Sequence, residues 1–191
     1  LEHLRFKGTA QRSAFDIAEA FDAVGGESNA ETGKEHTNYW ARVLSEDAPM
    51  AVEVLGDMIS ASLIDPEEFE IERGVILDEL AMSEDNPLEV VHEAFQLAVF
   101  GDNSLGRPVG GSAQTIRAVE RDHVWDYYRR VYAPSSLIIA AAGDLNHDEL
   151  VEQVQRSLRP TWTKELEEER APRPRRSTQG SQSSAWEPVR S

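Results

Sequence analysis

Four residues of this 191-residue chain have the types and spacing that metal-dependent chemistry requires. Glu72 and Glu79 stand two helical turns apart in the stretch EIERGVILDEL, so both carboxylates share one face of a helix. The chain has no Cys, and a metal site must therefore use His and carboxylate ligands. His3, beside Glu2, supplies a candidate imidazole.

The same residues have a simpler interpretation. Exposed charges are the norm, and Glu72 and Glu79 taken alone fit the solvated acidic face of a surface helix. Val75, Ile76 and Leu80 lie among them, however, so part of this face borders apolar packing, where a half-buried carboxylate needs a partner such as a metal. The pattern by itself leaves both interpretations open.

The charge balance limits the partners. The chain has 35 acidic and 19 basic residues and a formal charge of −16, which argues against a nucleic-acid or anionic-membrane surface because either needs a basic face. The longest strongly apolar run, LIIAAAG, is too short to cross a bilayer. We therefore expect a soluble protein with neutral or cationic partners.

Periodicity and capping signals predict the elements that position these residues. The pattern predicts helices that start near Ser13, Ser45, Asp65, Pro87, Ala113 and Asn146, with the fifth continuing to Tyr132. It also predicts paired strands over 27–32 and 37–44, joined through Gly33-Lys34, and a buried strand over 136–142. This order favours an α+β fold with a mixed, largely antiparallel sheet and helices packed mainly on one face.

Five stretches together resemble the N-terminal domain of the pitrilysin, insulin-degrading enzyme and mitochondrial processing peptidase family. In chain order they are LEHLRFKGT, GGESNAETGKEHTNYWARVL, ERGVILDEL, NPLEVVHEAFQLAVFGDNSLGRPVGG and AAGDLNHDEL. The resemblance runs from residue 1 to about residue 160 at the expected spacings. It implies a processing-peptidase-like metallohydrolase half.

The family's signature is the inverted zinc motif H-x-x-E-H. Glu2 and His3 match its last two positions, which places the first His two residues before Leu1, outside this chain. Glu79 matches the distal Glu ligand, 76 residues after His3 (79 − 3). The resemblance implies that His3 and Glu79 bind Zn²⁺, that Glu2 is the general base, and that Glu72 orients a ligand or the water network.

The segment Ser28 to Thr32 corresponds to the strand on which such enzymes receive substrate. The resemblance implies that Asn29 and Ala30 contact a peptide that adds to the sheet edge through main-chain hydrogen bonds. Without the family, an ordinary hairpin strand with an Asn in the turn region is the favoured interpretation of the segment. Four other histidines are interpreted as structural or surface residues: His36, His92, His123 and His147.

The resulting hypothesis is a zinc-dependent endopeptidase that cleaves peptides or unfolded protein segments by metal-activated water. Its expected partners are a peptide substrate and a related second half or partner subunit that closes a chamber, with no nucleic acid and no membrane. The expected domains are a peptidase domain over 1–160, a charged Pro/Ser-rich excursion or linker over 161–185, and the start of a strand over 186–191. The expected compartment is the bacterial cytoplasm, and residues 1–191 alone are expected to be inactive.

Two alternatives stay open at this point. The first is a non-catalytic structural or partner subunit of the same family, and the second is an acidic binding domain without a metal. The acidic balance also suggests a preference for basic residues near the cleaved bond. Arg5 stands where an apolar residue is expected, and the sequence gives no physical account of it.

Overall fold

The computed structural model describes residues 1–158, which form helices and one small sheet. The helices are α1 (Ala14–Asp22), α2 (Ala48–Ala61), α3 (Pro66–Glu84), α4 (Pro87–Phe100), α5 (Ala113–Ala118), α6 (Arg121–Val131) and α7 (His147–Leu158), with 3₁₀ helices at His3–Lys7, Ser45–Asp47 and Pro134–Ser136. The strands are β1 (Glu27–Thr32) and β2 (Thr37–Arg42). None of these helices is long and apolar enough to cross a membrane. The segments expected over 161–185 and 186–191 lie outside the described residues, and the boundary near 160 stays a prediction.

The helix starts follow the predicted capping chemistry. Ser13 and Asp16 form a capping box at the start of α1, in which each side chain bonds the other residue's backbone N–H. The Asp65 carboxylate accepts hydrogen bonds from the N–H groups of Glu67 and Glu68 at the start of α3. These local bonds satisfy amides that have no partner within the helix, so both starts could be read from the sequence.

The sheet is an antiparallel hairpin with a fixed register. Glu27 lies opposite Arg42 and Thr32 lies opposite Thr37, as the predicted alternation requires. The inner face, which includes Ala30 and Tyr39, is half-buried against the helices, whereas the outer residues are exposed. Helices therefore cover one face of the sheet, and the predicted α+β arrangement is confirmed.

Two apolar clusters form the interior. The first lies between α1 and α2 and consists of Ile17, Phe21, Ala51, Val54 and Met58. The second joins the first 3₁₀ helix to α3 and α6 and consists of Leu4, Ile64, Phe69 and Tyr128. Phe6 packs against the first cluster, so the His3–Lys7 segment contributes one apolar side chain to each interior.

Helix α7 reaches α2 through a glycine. A Cβ atom added at Gly56 would lie 2.6 Å from the Cβ atom of Ser157, a distance that real side chains do not tolerate. The absence of a side chain at Gly56 lets the two helices approach closely. This contact secures the C-terminal end of the described chain on the first cluster.

The prediction of a buried strand over 136–142 is wrong. Residues 137–142 form no regular secondary structure, and Ile138 is 94% exposed. An apolar run becomes a strand only when another strand satisfies its backbone groups, and within residues 1–158 the sheet contains only β1 and β2. The sequence shows that this run is apolar. Composition does not show whether another strand pairs with it.

The prediction of a single helix over 113–132 is also wrong, because this segment forms two helices, α5 and α6. Val119 adopts an extended conformation between them. The Arg73 guanidinium donates hydrogen bonds to the carbonyl oxygens of Ile116 and Val119, the latter at 2.8 Å. A long-range contact from α3 thus satisfies carbonyls that a continuous helix would have bonded internally.

The Arg12–Asp57 pair generates a stability prediction. The Asp57 carboxylate is buried and accepts from the Thr9 hydroxyl at 2.7 Å and from Arg12 Nη1 at 2.9 Å. Arg12→Met leaves a buried carboxylate without its cation and should lower the free energy of unfolding by about 2 kcal/mol. Urea unfolding of the natural full-length protein measures this difference.

Arg42→Met is the matched control, because it removes an exposed pair with Glu27. Its expected cost is below about 0.5 kcal/mol. Equal losses from the two substitutions would contradict the role assigned to burial.

Candidate functional site

The His3–Lys7 segment carries two of the site side chains, His3 and Lys7, and is anchored by the packing of Leu4. Leu4 is 3% exposed in the second apolar cluster, and its carbonyl oxygen accepts a hydrogen bond from the Ser62 hydroxyl at 3.1 Å. The segment is a 3₁₀ helix that ends at Gly8, which has a φ of 121°. Burial of Leu4 on one side directs His3 and Lys7 toward α3.

Glu72 is the centre of the polar contacts. Although its residue is only 4% exposed, one carboxylate oxygen lies 2.7 Å from His3 Nδ1 and the other lies 2.7 Å from Lys7 Nζ. Burial opposes ionisation of this carboxyl, but the hydrogen bonds from Lys7 and His3 outweigh burial and hold its pKa below the ordinary value. The same carboxylate raises the pKa of Lys7. Glu72 is therefore an ionised, fully used acceptor.

The bond to Glu72 decides which nitrogen of His3 is free. In the neutral imidazole whose Nδ1–H donates to Glu72, Nε2 carries the lone pair, and Nε2 lies 3.9 Å from Oε2 of Glu79. Two ligand atoms on one tetrahedral zinc ion stand roughly 3.3 Å apart. The Glu79 side chain is 54% exposed and can close this difference by a small rotation.

The chemistry of these donors fits zinc. An imidazole whose other nitrogen is held by a carboxylate, next to a second carboxylate, is a common arrangement around protein-bound zinc. Residues 1–158 contain no group of three or more His, Asp or Glu side chains placed to hold one ion. His3 and Glu79 can therefore form part of a ligand set, and their roles stay predictions.

Glu2 points to a different neighbour. Its Oε2 accepts a hydrogen bond from the hydroxyl of Thr32, the last residue of β1. The Thr32 hydroxyl also lies 3.4 Å from the hydroxyl of Thr37 on β2. Glu2 and His3, adjacent in sequence, are thus held by different elements, the hairpin and α3.

Asn29 and Ala30 lie in the middle of β1. Asn29 is on the exposed outer face, and its side-chain oxygen accepts from the N–H of Ala30 at 2.8 Å. Within the described residues β1 pairs only with β2, so its second edge has no strand beside it. The predicted contact of these residues with a peptide is sterically open and stays a prediction.

The four other histidines lie on the surface. His36, His92, His123 and His147 are all exposed, and among residues 1–158 none belongs to a potential metal-binding group. Exposure agrees with the surface interpretation of His92, His123 and His147, whereas the structural role expected for His36 stays a prediction.

Arg5 is the feature for which sequence reasoning had no account. Its residue is 0% exposed, and its guanidinium nitrogens have no hydrogen-bond partner among the described residues. The guanidinium carbon lies 3.6 Å from the ring centroid of Tyr128 and 4.6 Å from that of Tyr132. A cation–π contact replaces an ion pair here and attaches the 3₁₀ helix to α6. The spacing of two tyrosines four residues apart near the end of α6 was the available signal.

This contact generates a prediction about coupling. In a double-mutant cycle, Arg5→Met and Tyr128→Leu should show a coupling energy of about 1–2 kcal/mol in the free energy of unfolding. The reason is that a desolvated guanidinium on a ring face is worth more than an exposed one. Urea unfolding of the four full-length proteins measures the coupling.

Tyr127→Leu provides the control, since Tyr127 is 47% exposed on the same helix. Its coupling to Arg5→Met should be close to zero. Additive effects of the Arg5 and Tyr128 substitutions would show that the stacking contributes nothing.

Two matches to known protein families define the class of this protein. Residues 1–113 match the family described as Insulinase (Peptidase family M16), and residues 118–184 match one described as Peptidase M16 inactive domain. Because the first match alone covers more than half of the chain, the chain belongs to peptidase family M16, the insulinase family. The resemblance stated from the five stretches is confirmed.

Curated relatives agree with this family. The chain is 52% identical over 155 residues to an uncharacterized zinc protease of Streptomyces coelicolor, covering 81% of this chain and 34% of that protein. It is 40% identical over 156 residues to an uncharacterized zinc protease of Bacillus subtilis, covering 82% of this chain and 38% of that protein. The chain thus spans about a third of the length of these relatives.

Solved structures agree on the fold. A protease from Helicobacter pylori superposes with a TM-score of 0.80 at 20% identity, over 84% of this chain and 39% of that chain. Pitrilysin superposes with a TM-score of 0.73 at 21% identity, over 86% of this chain and 18% of that chain. At these identities the likeness concerns the fold alone.

Proposed function

We propose that the natural full-length protein is a zinc-dependent endopeptidase that cleaves peptides or unfolded protein segments. The observation that carries the proposal is the His3 arrangement, in which Glu72 holds Nδ1 at 2.7 Å and Nε2 faces Glu79 at 3.9 Å. Membership of a peptidase family and relatives named as zinc proteases support the same reaction class.

The proposed ligands are His3, Glu79 and a histidine two residues before Leu1. Held by these residues, zinc would supply Lewis-acid chemistry and would lower the pKa of water at the site. Glu72 keeps His3 in the tautomer that presents Nε2 to the metal. The Glu2 carboxylate accepts the proton of the attacking water and later delivers it to the leaving amine.

The proposed substrate is an extended peptide that lies along the edge of β1 beside which residues 1–158 place no strand. Main-chain hydrogen bonds at Asn29 and Ala30 would fix the peptide without reading its sequence. The Ala30 N–H is held by the Asn29 side chain, which a peptide carbonyl must replace. The charge of −16 favours substrates with basic residues near the cleaved bond. The cytoplasmic location stays a prediction from the sequence.

A second, related half is proposed to close over the peptide. Helix α4 supports this, because it has no buried residue and exposes apolar side chains that include Leu88, Val91 and Phe95. Apolar patches of this kind mark surfaces that another part of a protein covers. The share of the relatives that this chain spans, about a third, leaves room for such a half.

A non-catalytic member of the family is the second candidate. It is favoured by the match of residues 118–184 to a family described as an inactive domain. The two candidates differ in one residue, since the enzyme requires a histidine two positions before Leu1 and the scaffold does not.

Glu2→Gln tests the enzymatic proposal in the full-length protein. The substitution should leave stoichiometric zinc bound, because Glu2 is not a proposed ligand, and should lower peptide hydrolysis by at least about 100-fold. Zinc content is measured on the purified proteins, and hydrolysis is followed with an unfolded protein substrate. A wild-type protein that binds no zinc and cleaves no peptide would favour the scaffold, whereas unchanged hydrolysis in Glu2→Gln would overturn the role of Glu2.

Glu72→Ala tests the carboxylate behind His3. Removing it frees the imidazole to rotate and should weaken zinc affinity by about 10–100-fold. Glu70→Ala is the matched control, since Glu70 lies on the same helix with an exposed side chain paired with Arg73. Competition with a chromophoric chelator measures both affinities, and equal affinities for the two variants would contradict the arrangement.

A further inference from the structure

The hydroxyl of Thr32 is the hydrogen-bond donor that the structure places on the Glu2 carboxylate. Thr32 is the last residue of β1 and lies on the half-buried inner face of the hairpin. Its hydroxyl donates to Oε2 of Glu2 across a sequence separation of 30 residues. The contact therefore joins the first 3₁₀ helix to the end of the strand proposed to receive the peptide.

A second hydroxyl stands behind the first. Thr37 lies directly opposite Thr32 in the hairpin register, and the two hydroxyl oxygens are 3.4 Å apart. A hydroxyl has only one proton to donate, and Thr32 gives that proton to Glu2. The proton in the contact between the threonines must then come from Thr37. The cross-strand pair thus orients the Thr32 hydroxyl toward Glu2.

The contact restricts one oxygen of Glu2 and leaves the other available. Among the side-chain hydrogen bonds of residues 1–158, the bond from Thr32 is the one that holds the Glu2 carboxylate. A carboxylate on a flexible side chain samples several rotamers, whereas one held by a donor on a strand keeps a fixed direction. Orientation of this kind matters for a proton acceptor, since small displacements from the productive geometry cost large factors in rate.

We propose that Thr32 is a positioning residue for the general base, and that β1 sets both the place of the peptide and the direction of the Glu2 carboxylate. This inference rests on the proposed peptidase function. Because β1 both receives the peptide and holds the Glu2 carboxylate through Thr32, this strand sets the distance between the bound peptide and the base. The proposed peptide contacts are Asn29 and Ala30 and the proposed zinc ligands are His3 and Glu79, so Thr32 is assigned a positioning role only.

The structure also contains a purely structural counterpart of this bond. The Thr9 hydroxyl donates to the buried carboxylate of Asp57 at 2.7 Å, on the side of the domain formed by α2. Both are hydroxyl-to-carboxylate bonds between distant segments. Thr9→Val therefore reproduces the loss of such a bond without touching Glu2, and it serves as the control for stability.

The experiment compares Thr32→Val, Thr32→Ser and Thr9→Val in the natural full-length protein. Thr32→Val keeps the shape and strand preference but has no donor, and it should lower kcat by about 10–100-fold. KM and zinc content should change less than about threefold, since the peptide and metal contacts remain. Thr32→Ser restores the donor and should recover kcat to within about threefold of the wild type. Thr9→Val should lower the thermal midpoint and leave kcat unchanged below it.

A kcat of Thr32→Val within twofold of the wild type would overturn the inference, as would a Thr32→Ser variant as slow as Thr32→Val. If Thr32→Val does not fold, Thr32→Ala is compared with Thr32→Ser in the same assay. Affinity for a peptide, measured in the Glu2→Gln background, should be the same with and without the Thr32→Val substitution, and a loss there would assign Thr32 to substrate binding instead. Failure of the proposed function is distinct, because the wild-type protein itself would then lack zinc-dependent hydrolysis.

Discussion

The buried Glu72 carboxylate is the interaction on which the site depends. A carboxylate that is 4% exposed is costly unless each of its oxygens is satisfied, and here His3 and Lys7 each take one. The same two bonds lock the 3₁₀ helix to α3 and leave Nε2 of His3 facing Glu79. One ionised group thus fixes the position of a short segment and, in the neutral imidazole, favours the proton of His3 on Nδ1.

The apolar interior makes that polar arrangement possible. Leu4 and Phe6 enter different clusters, so the segment between them cannot rotate without exposing one of the two side chains. Arg5 lies between these anchors and packs against the rings of Tyr128 and Tyr132 rather than against an acid. Stacking gives the guanidinium an electrostatic partner where residues 1–158 give it no ion pair. Packing therefore places the segment, and the polar contacts then orient its functional side chains.

The hairpin completes the site from the other side. Its inner face packs against the helices, and the last residue of β1 reaches Glu2. Glu2 and His3 are neighbours in sequence, yet the hairpin holds one and α3 holds the other. In the proposed enzyme the proton acceptor Glu2 and the metal ligand His3 are supported by separate elements, so the two proposed roles can be tuned separately.

The sequence by itself determined the elements whose signals are local. Capping residues placed the starts of α1 and α3, alternation placed β1 and β2, and the spacing of Glu72 and Glu79 put both on one helix face. The motif residues also determined the family. The tertiary structure decided the features that depend on partners distant in the chain. Arg73 divides the helix predicted over 113–132, and residues 137–142 lack a described neighbouring strand. No local pattern encodes the contacts of Lys7 with Glu72, of Thr32 with Glu2 and of Arg5 with Tyr128. Each contact exists only because the packing of distant segments brings the two groups within a few ångströms.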